Sequence, residues 1–164
     1  MSIETKLDEL GLVLPKAFRS PSGRPYPFAW VRVRGDRAYL SGHLPLKADG
    51  SLLEPLGKVG AEVTPEQGAA AARQVGLAML GSLQREIGSL DRVRAWLRVL
   101  GMVNAAPGFT QVPVVVNGFS ELLLEVFGPE IGLHSRSAIG VAELPFGVPV
   151  EIEAEVEIAP LSER

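Results

Sequence analysis

The sequence predicts an α+β fold, a single sheet of about six strands with two helices on one face. Three observations predict it. Residues 148–158, VPVEIEAEVEI, place Val150, Ile152, Ala154, Val156 and Ile158 on one side and Glu151, Glu153, Glu155 and Glu157 on the other, the period of a half-buried strand. FAWVRVRGDRAYLSG gives two alternating runs joined at Gly35-Asp36, a hairpin signal. TPEQ at 64–67 supplies an N-cap, a proline at the first helical position and a glutamine at the third, the opening of a long helix.

In chain order, residues 1–27 read as an irregular or partly helical leader whose stretch LPKAFRSPSGRPYP is rich in proline and glycine, and residues 28–164 as one domain. The hairpin sets Ala29, Val31 and Val33 against Trp30, Arg32 and Arg34. SLLEPLGKVGAEV is expected to hold a third strand and a glycine-rich loop. The helix capped by Thr64 runs to about Ile87 and closes at Gly88; its face Ala72, Gly76, Met79, Leu83, Ile87 is small at one end and can lie close on a sheet.

DRVRAWLRVLGMV alternates Val93, Ala95, Leu97 and Val99 with Arg92, Arg94, Trp96 and Arg98, a strand with a basic face. A second helix is expected from near Pro113 to Phe127, stopped by Gly128-Pro129. SRSAIGVAEL and the acidic strand complete the sheet. Charge matching places the acidic strand between the first strand (Arg32, Arg34) and the fourth (Arg92, Arg94, Arg98), because opposite charges across strands stabilise and like charges do not. The other face of the sheet stays polar, with Trp30 and Trp96 as apolar rims.

With a net charge of −3, the chain is not suited to wrapping a phosphate backbone, so nucleic acid is not an expected partner. Its uninterrupted apolar runs are far shorter than a bilayer span, and the acidic amphipathic start MSIETKLDEL reads neither as a signal peptide nor as a membrane anchor. The lack of cysteine excludes disulfides and thiolate chemistry and fits a cytoplasmic protein. His43 and His134 stand without acidic residues at ligand spacing, so no metal site is expected. GKVG lacks the context of a phosphate loop. Arg136, among Ser135, Ser137 and Ala138 at a strand start, has room beside it; its fork suits a carboxylate and equally a structural ion pair.

SRSAIGVAELPFGVPVEIEAEVEI resembles the C-terminal signature of the Rid (YjgF-type) reactive-intermediate deaminase family. YLSGHLPL and GKVGAEVTPEQGAAAA resemble two further segments of it, in order and at compatible spacing over about residues 28–159. The leader and NAAPGFTQVPVVVNGFSELLLEVFG look like a larger-sized branch. The resemblance implies a chorismate-mutase-like fold, a homotrimer with sites at the subunit clefts, no cofactor, and hydrolysis of small 2-imino or enamine acids to 2-oxo acids and ammonia. By that likeness Arg136 holds the substrate carboxylate, Glu151 positions or activates the attacking water, and Asn117, Ser41, Gly42 and Phe28 line the site. Phe28 stands where the family has tyrosine, Ala138 where it often has cysteine, and His43 where it has glutamine, which changes the cavity lining. A non-catalytic trimer that binds a small carboxylate or a protein is the rival reading. A ribonuclease comes third, since no histidine pair or basic stretch supports it.

Overall fold

In the computed structural model, which describes residues 1–161, the chain runs α1 (Ile3–Glu9), β1 (Val31–Arg34), β2 (Arg37–His43), α2 (Pro65–Ile87), β3 (Val93–Asn104), α3 (Val112–Gly132), β4 (Ser135–Val141) and β5 (Val150–Ile158). The strands form one mixed sheet in the order β1-β2-β5-β3-β4, antiparallel except for β3 with β4. Helices α2 and α3 cover one face; the main hydrophobic core fills the space between, with a smaller cluster of Leu44, Leu46, Ala78, Leu144 and Val148 beside it.

Local signals account for much of this. Thr64 Oγ1 accepts from the Gln67 amide at 3.1 Å while the Gln67 side chain accepts from the Thr64 amide at 3.0 Å, a closed capping box. Gly88, at φ 86°, ends α2. Helix α3 breaks at Gly128 (φ 73°, ψ 173°), as the Gly-Pro pair predicts, but resumes to Gly132. By length and composition α3 is apolar enough to cross a membrane; here Val115, Val116, Phe119, Leu122, Leu123 and Val126 of that helix are buried in the core. In the leader, α1 is capped by Ser2 and sends Leu7 into the core.

Three expectations are corrected. The sheet has five strands: residues 51–63 contribute only isolated bridges, because Gly57 and Gly60, both at positive φ, turn the chain. Lys58 pins this loop, donating to Asn104 Oδ1 at 2.8 Å and to the Ala142 carbonyl. Trp96 is not on the open face; it is 1 % exposed and packs edge-on to Phe119 and Phe127. Two register shifts in β3 explain it, one between Val93 and Ala95 and one between Trp96 and Arg98. Each adds a residue, so Val93, Trp96 and Val99 all face inward.

Strand β5 does lie between a hairpin strand and β3, but the hairpin strand is β2. The cation that meets the acidic face is therefore none of the five arginines expected: Arg37 Nη1 lies 3.1 Å from Glu155 Oε1. Arg98 is Glu155's register partner and donates instead to Ser137 Oγ at 3.3 Å. Both members of the Arg37–Glu155 pair are partly exposed, so Arg37→Ala is expected to change unfolding free energy by less than about 1 kcal/mol in urea titrations.

Candidate active site

Arg136 sits on the edge strand β4 opposite Val99, and Val99 opposite Ala154, so its side chain leaves the sheet on the helix side. There α3 receives it. Nη1 donates to Ser120 Oγ at 2.9 Å, and Nη2 to Asn117 Oδ1 at 2.7 Å and to the Pro113 carbonyl at 3.0 Å. Asn117 and Ser120 are three residues apart on one helix face, which is why both reach one guanidinium. Asn117, expected at the same site, is thus a hydrogen-bond partner of Arg136. All three partners are neutral, and among the described residues Arg136 is in no ion pair. Burial pulls its pKa below the ordinary guanidinium value, the mark of a cation whose water has been partly removed without a counter-charge.

His134 and Ser120 complete this arrangement, and the sequence reading did not assign them. His134 Nδ1 lies 2.7 Å from the Gly132 carbonyl, which can only accept, so Nδ1 carries the proton. Nε2 is then an acceptor, 2.9 Å from Ser120 Oγ. The hydroxyl thus donates to His134 and accepts from Arg136, a chain with every direction fixed. Burial, aided by the Arg136 charge, lowers the His134 pKa and keeps the ring neutral.

Glu151 is elsewhere on the chain. It pairs with Met102 on β3, between buried Val150 and Ile152, and so projects from the open face, opposite to Arg136. Its side chain lies over Gly42: a Cβ built there would stand 2.5 Å from Oε1. The β2–β5 register slips between Leu40 and His43, a bulge that turns the Ser41-Gly42 backbone toward this carboxylate. Ser41 spends its hydroxyl on the Ala29 carbonyl at 2.7 Å. Half-burial first, and the neighbouring Glu153 charge second, raise the Glu151 pKa above the ordinary glutamate value. Among the described residues it has no cation partner.

Phe28 stands apart from both groups, 48 % exposed at the edge of an aromatic cluster with Tyr26 and Trp30. The predicted residues other than Phe28 therefore fall into two groups on opposite faces of one sheet, a partly desolvated cation with Asn117 and a partly desolvated acid over Gly42, with Ser41 next in the chain. No group of three or more His, Asp or Glu residues at ligand distance occurs among the described residues.

Residues 4–149 match the family described as "YjgF/chorismate_mutase-like, putative endoribonuclease". Protein TCP17 of Trypanosoma cruzi is 38 % identical over 156 residues, covering 95 % of this chain and 94 % of its own. A solved structure of an Agrobacterium tumefaciens protein of unknown function superposes with a TM-score of 0.85 at 34 % identity, over 96 % of this chain and 92 % of that one. RidA from an Antarctic Psychrobacter shares the fold at 22 % identity, TM-score 0.58, over 87 % and 94 % of the two chains.

Proposed function

From the premise that this chain belongs to the YjgF/Rid family, we propose that it hydrolyses small 2-imino or enamine acids to 2-oxo acids and ammonia, without a cofactor, in clefts where the Arg136 half-site of one copy meets the Glu151 half-site of the next. The observation that carries this reading is the pair of uncompensated opposite charges on opposite faces. Each is partly stripped of water and lacks a counter-charge among the described residues, a costly state unless a second copy and a ligand complete it. A homotrimer supplies that geometry, with the open faces turned toward one another. Exposed Tyr39 and Ile139 take the rim role that buried Trp96 cannot. Light scattering is expected to report three chains per particle.

In the cleft, the Arg136 guanidinium takes the substrate carboxylate on the N–H groups its neighbours leave free, while Asn117, Ser120 and the Pro113 carbonyl fix its plane. An enamine first tautomerises to the imine. Water then adds to the imine carbon as Glu151 takes one of its protons and passes it to nitrogen, giving a carbinolamine. The carbinolamine's hydroxyl proton goes by way of Glu151 to nitrogen as the carbonyl forms, the C–N bond breaks and ammonia leaves. An imine is already electrophilic, so orientation and one acid/base group suffice. With a 2-imino acid generated in place by a dehydratase, the protein is expected to raise 2-oxo acid formation above the spontaneous rate. No acceleration would leave only the carboxylate-binding trimer.

Glu151→Gln separates binding from chemistry. The amide cannot take a proton from water, so turnover is expected to vanish while carboxylate binding persists. Stability is expected to move the other way. Because the folded pKa is raised, the native state keeps a proton that the unfolded chain has released, and the stability this gives is lost as pH rises through the folded value. At neutral pH the carboxylate is thus a cost, and Glu151→Gln should melt slightly higher than the parent.

A further inference from the structure

A cavity of about 320 Å³ opens on the helix side of the sheet, walled by Phe18, Phe28, Trp30, His43, Ser82 and Arg85. It is not part of the site above. His43 pairs with Ile152, which is fully buried, and faces the helices, whereas Glu151 leaves from the other face and Arg136 lies across the sheet on β4.

Two groups in this wall lack the partner their chemistry requires. His43 is 3 % exposed; its Nδ1, 2.6 Å from the Ser41 carbonyl, must carry the proton, so Nε2 is a bare acceptor, and no donor among the described residues reaches it. Burial and the nearby Arg85 charge pull the imidazole pKa down to about 4, so the ring is neutral at pH 7. Arg85 gives one N–H to the Pro15 carbonyl and one to Ser82 Oγ, both at 3.2 Å, and among the described residues is in no ion pair. Glu86 borders the same cavity without pairing with it. Trp30 packs 5.1 Å from Phe28, 5.3 Å from His43 and 6.4 Å from Phe18, ring to ring, so the wall beside the two polar groups is largely aromatic.

We propose that this cavity is a second binding site, for a small planar carboxylate that also carries a hydroxyl or amino donor. The carboxylate lies on Arg85, the ring against Phe18, Phe28 and Trp30, and the donor on His43 Nε2. The volume is at the low end for ligand pockets and suits a molecule of about the size of a hydroxybenzoate. A carboxylate would meet the free guanidinium fork, and a hydroxyl would satisfy the orphaned acceptor.

The test titrates the full chain with 4-hydroxybenzoate, benzoate and 4-hydroxybenzyl alcohol, by calorimetry and by tryptophan fluorescence, which Trp30 makes sensitive to the cavity. Saturable binding of 4-hydroxybenzoate is expected, with benzoate about 5-fold weaker for want of the donor and the alcohol at least about 10-fold weaker for want of the charge. Arg85→Gln should weaken both carboxylates about 10-fold, with Arg85→Lys intermediate because it keeps the charge and loses the fork. His43→Leu should erase the preference for the hydroxyl. Because Arg136 is itself proposed to bind carboxylates, Arg136→Gln removes that contribution and should leave in place the component that shows the hydroxyl preference and depends on Arg85. That preference, read on Trp30 in the Arg136→Gln protein, decides the question whatever the Arg85 and His43 variants do to stability. No saturable binding, or equal binding of all three compounds, overturns the proposal. So does binding lost in Arg136→Gln and kept in Arg85→Gln.

Discussion

Arg136→Ala is expected to weaken binding of any small 2-oxo or 2-imino carboxylate by at least about 1.5–3 kcal/mol, roughly 10- to 150-fold, measured as Kd for a 2-oxo acid product. The substitution would remove the charge-assisted contact proposed for the carboxylate, which neutral Asn117 and Ser120 cannot replace. Arg136→Lys should rescue little, because an ammonium cannot span Ser120, Asn117 and a ligand in one plane. Folding should survive. The guanidinium is only partly buried, and its partners become free to bind water, so the expected cost is about 1–2 kcal/mol in urea unfolding. A variant that unfolds outright would assign Arg136 to structure. One that keeps parental carboxylate affinity would remove it from the site.

The largest effect on stability is expected at Gly118. A Cβ there would lie 2.0 Å from the Ala69 carbonyl oxygen and 2.8 Å from its carbon, main-chain atoms of the facing helix that cannot turn aside as a side chain can. Gly118→Ala must therefore push α2 and α3 apart, at a cost of about 3 kcal/mol or more. In a chain of this length that corresponds to a fall in melting temperature of about 6–12 °C. Because Asn117 and Ser120 flank Gly118 on the same helix, carboxylate binding should weaken even where the variant still folds. Gly42→Ala is the contrasting case. Its clash is with the end of the Glu151 side chain, which can swing away, so the fold should hold while turnover falls.

The parts of this fold that were legible in the sequence are those with short-range signals. Thr64, Pro65, Gln67 and Gly88 delimit α2 because capping is local. The alternation of β5 is local too, and its burial pattern follows the sequence residue by residue. Trp96 was misplaced because a bulge depends on the partner strand, and nothing within RVRAWLRV marks where residues are added. Arg37 was passed over because the order β1-β2-β5 is a property of the sheet, not of the hairpin.

The same division runs through the site. The resemblance implies Arg136, Asn117, Glu151, Ser41, Gly42 and Phe28 together, whereas the placement of Arg136 and Glu151 on two faces depends on the register of three strands. In the sequence His134 reads as solitary, with no acidic residue at metal-ligand spacing. Its partner Ser120 lies fourteen residues away, and the one sequence signal was the three-residue spacing from Asn117 to Ser120 on a single helix face.

The central claim is that a complete site needs Arg136 from one copy and Glu151 from another. Mixing the inactive variants Arg136→Ala and Glu151→Gln, with subunit exchange, tests it directly. Half of the copies then supply an intact Arg136 and the other half an intact Glu151, so random assembly should pair the two in about one quarter of clefts and restore about one quarter of the parental imino-acid hydrolysis. Mixed particles that form but remain as inactive as either variant alone would contradict the account.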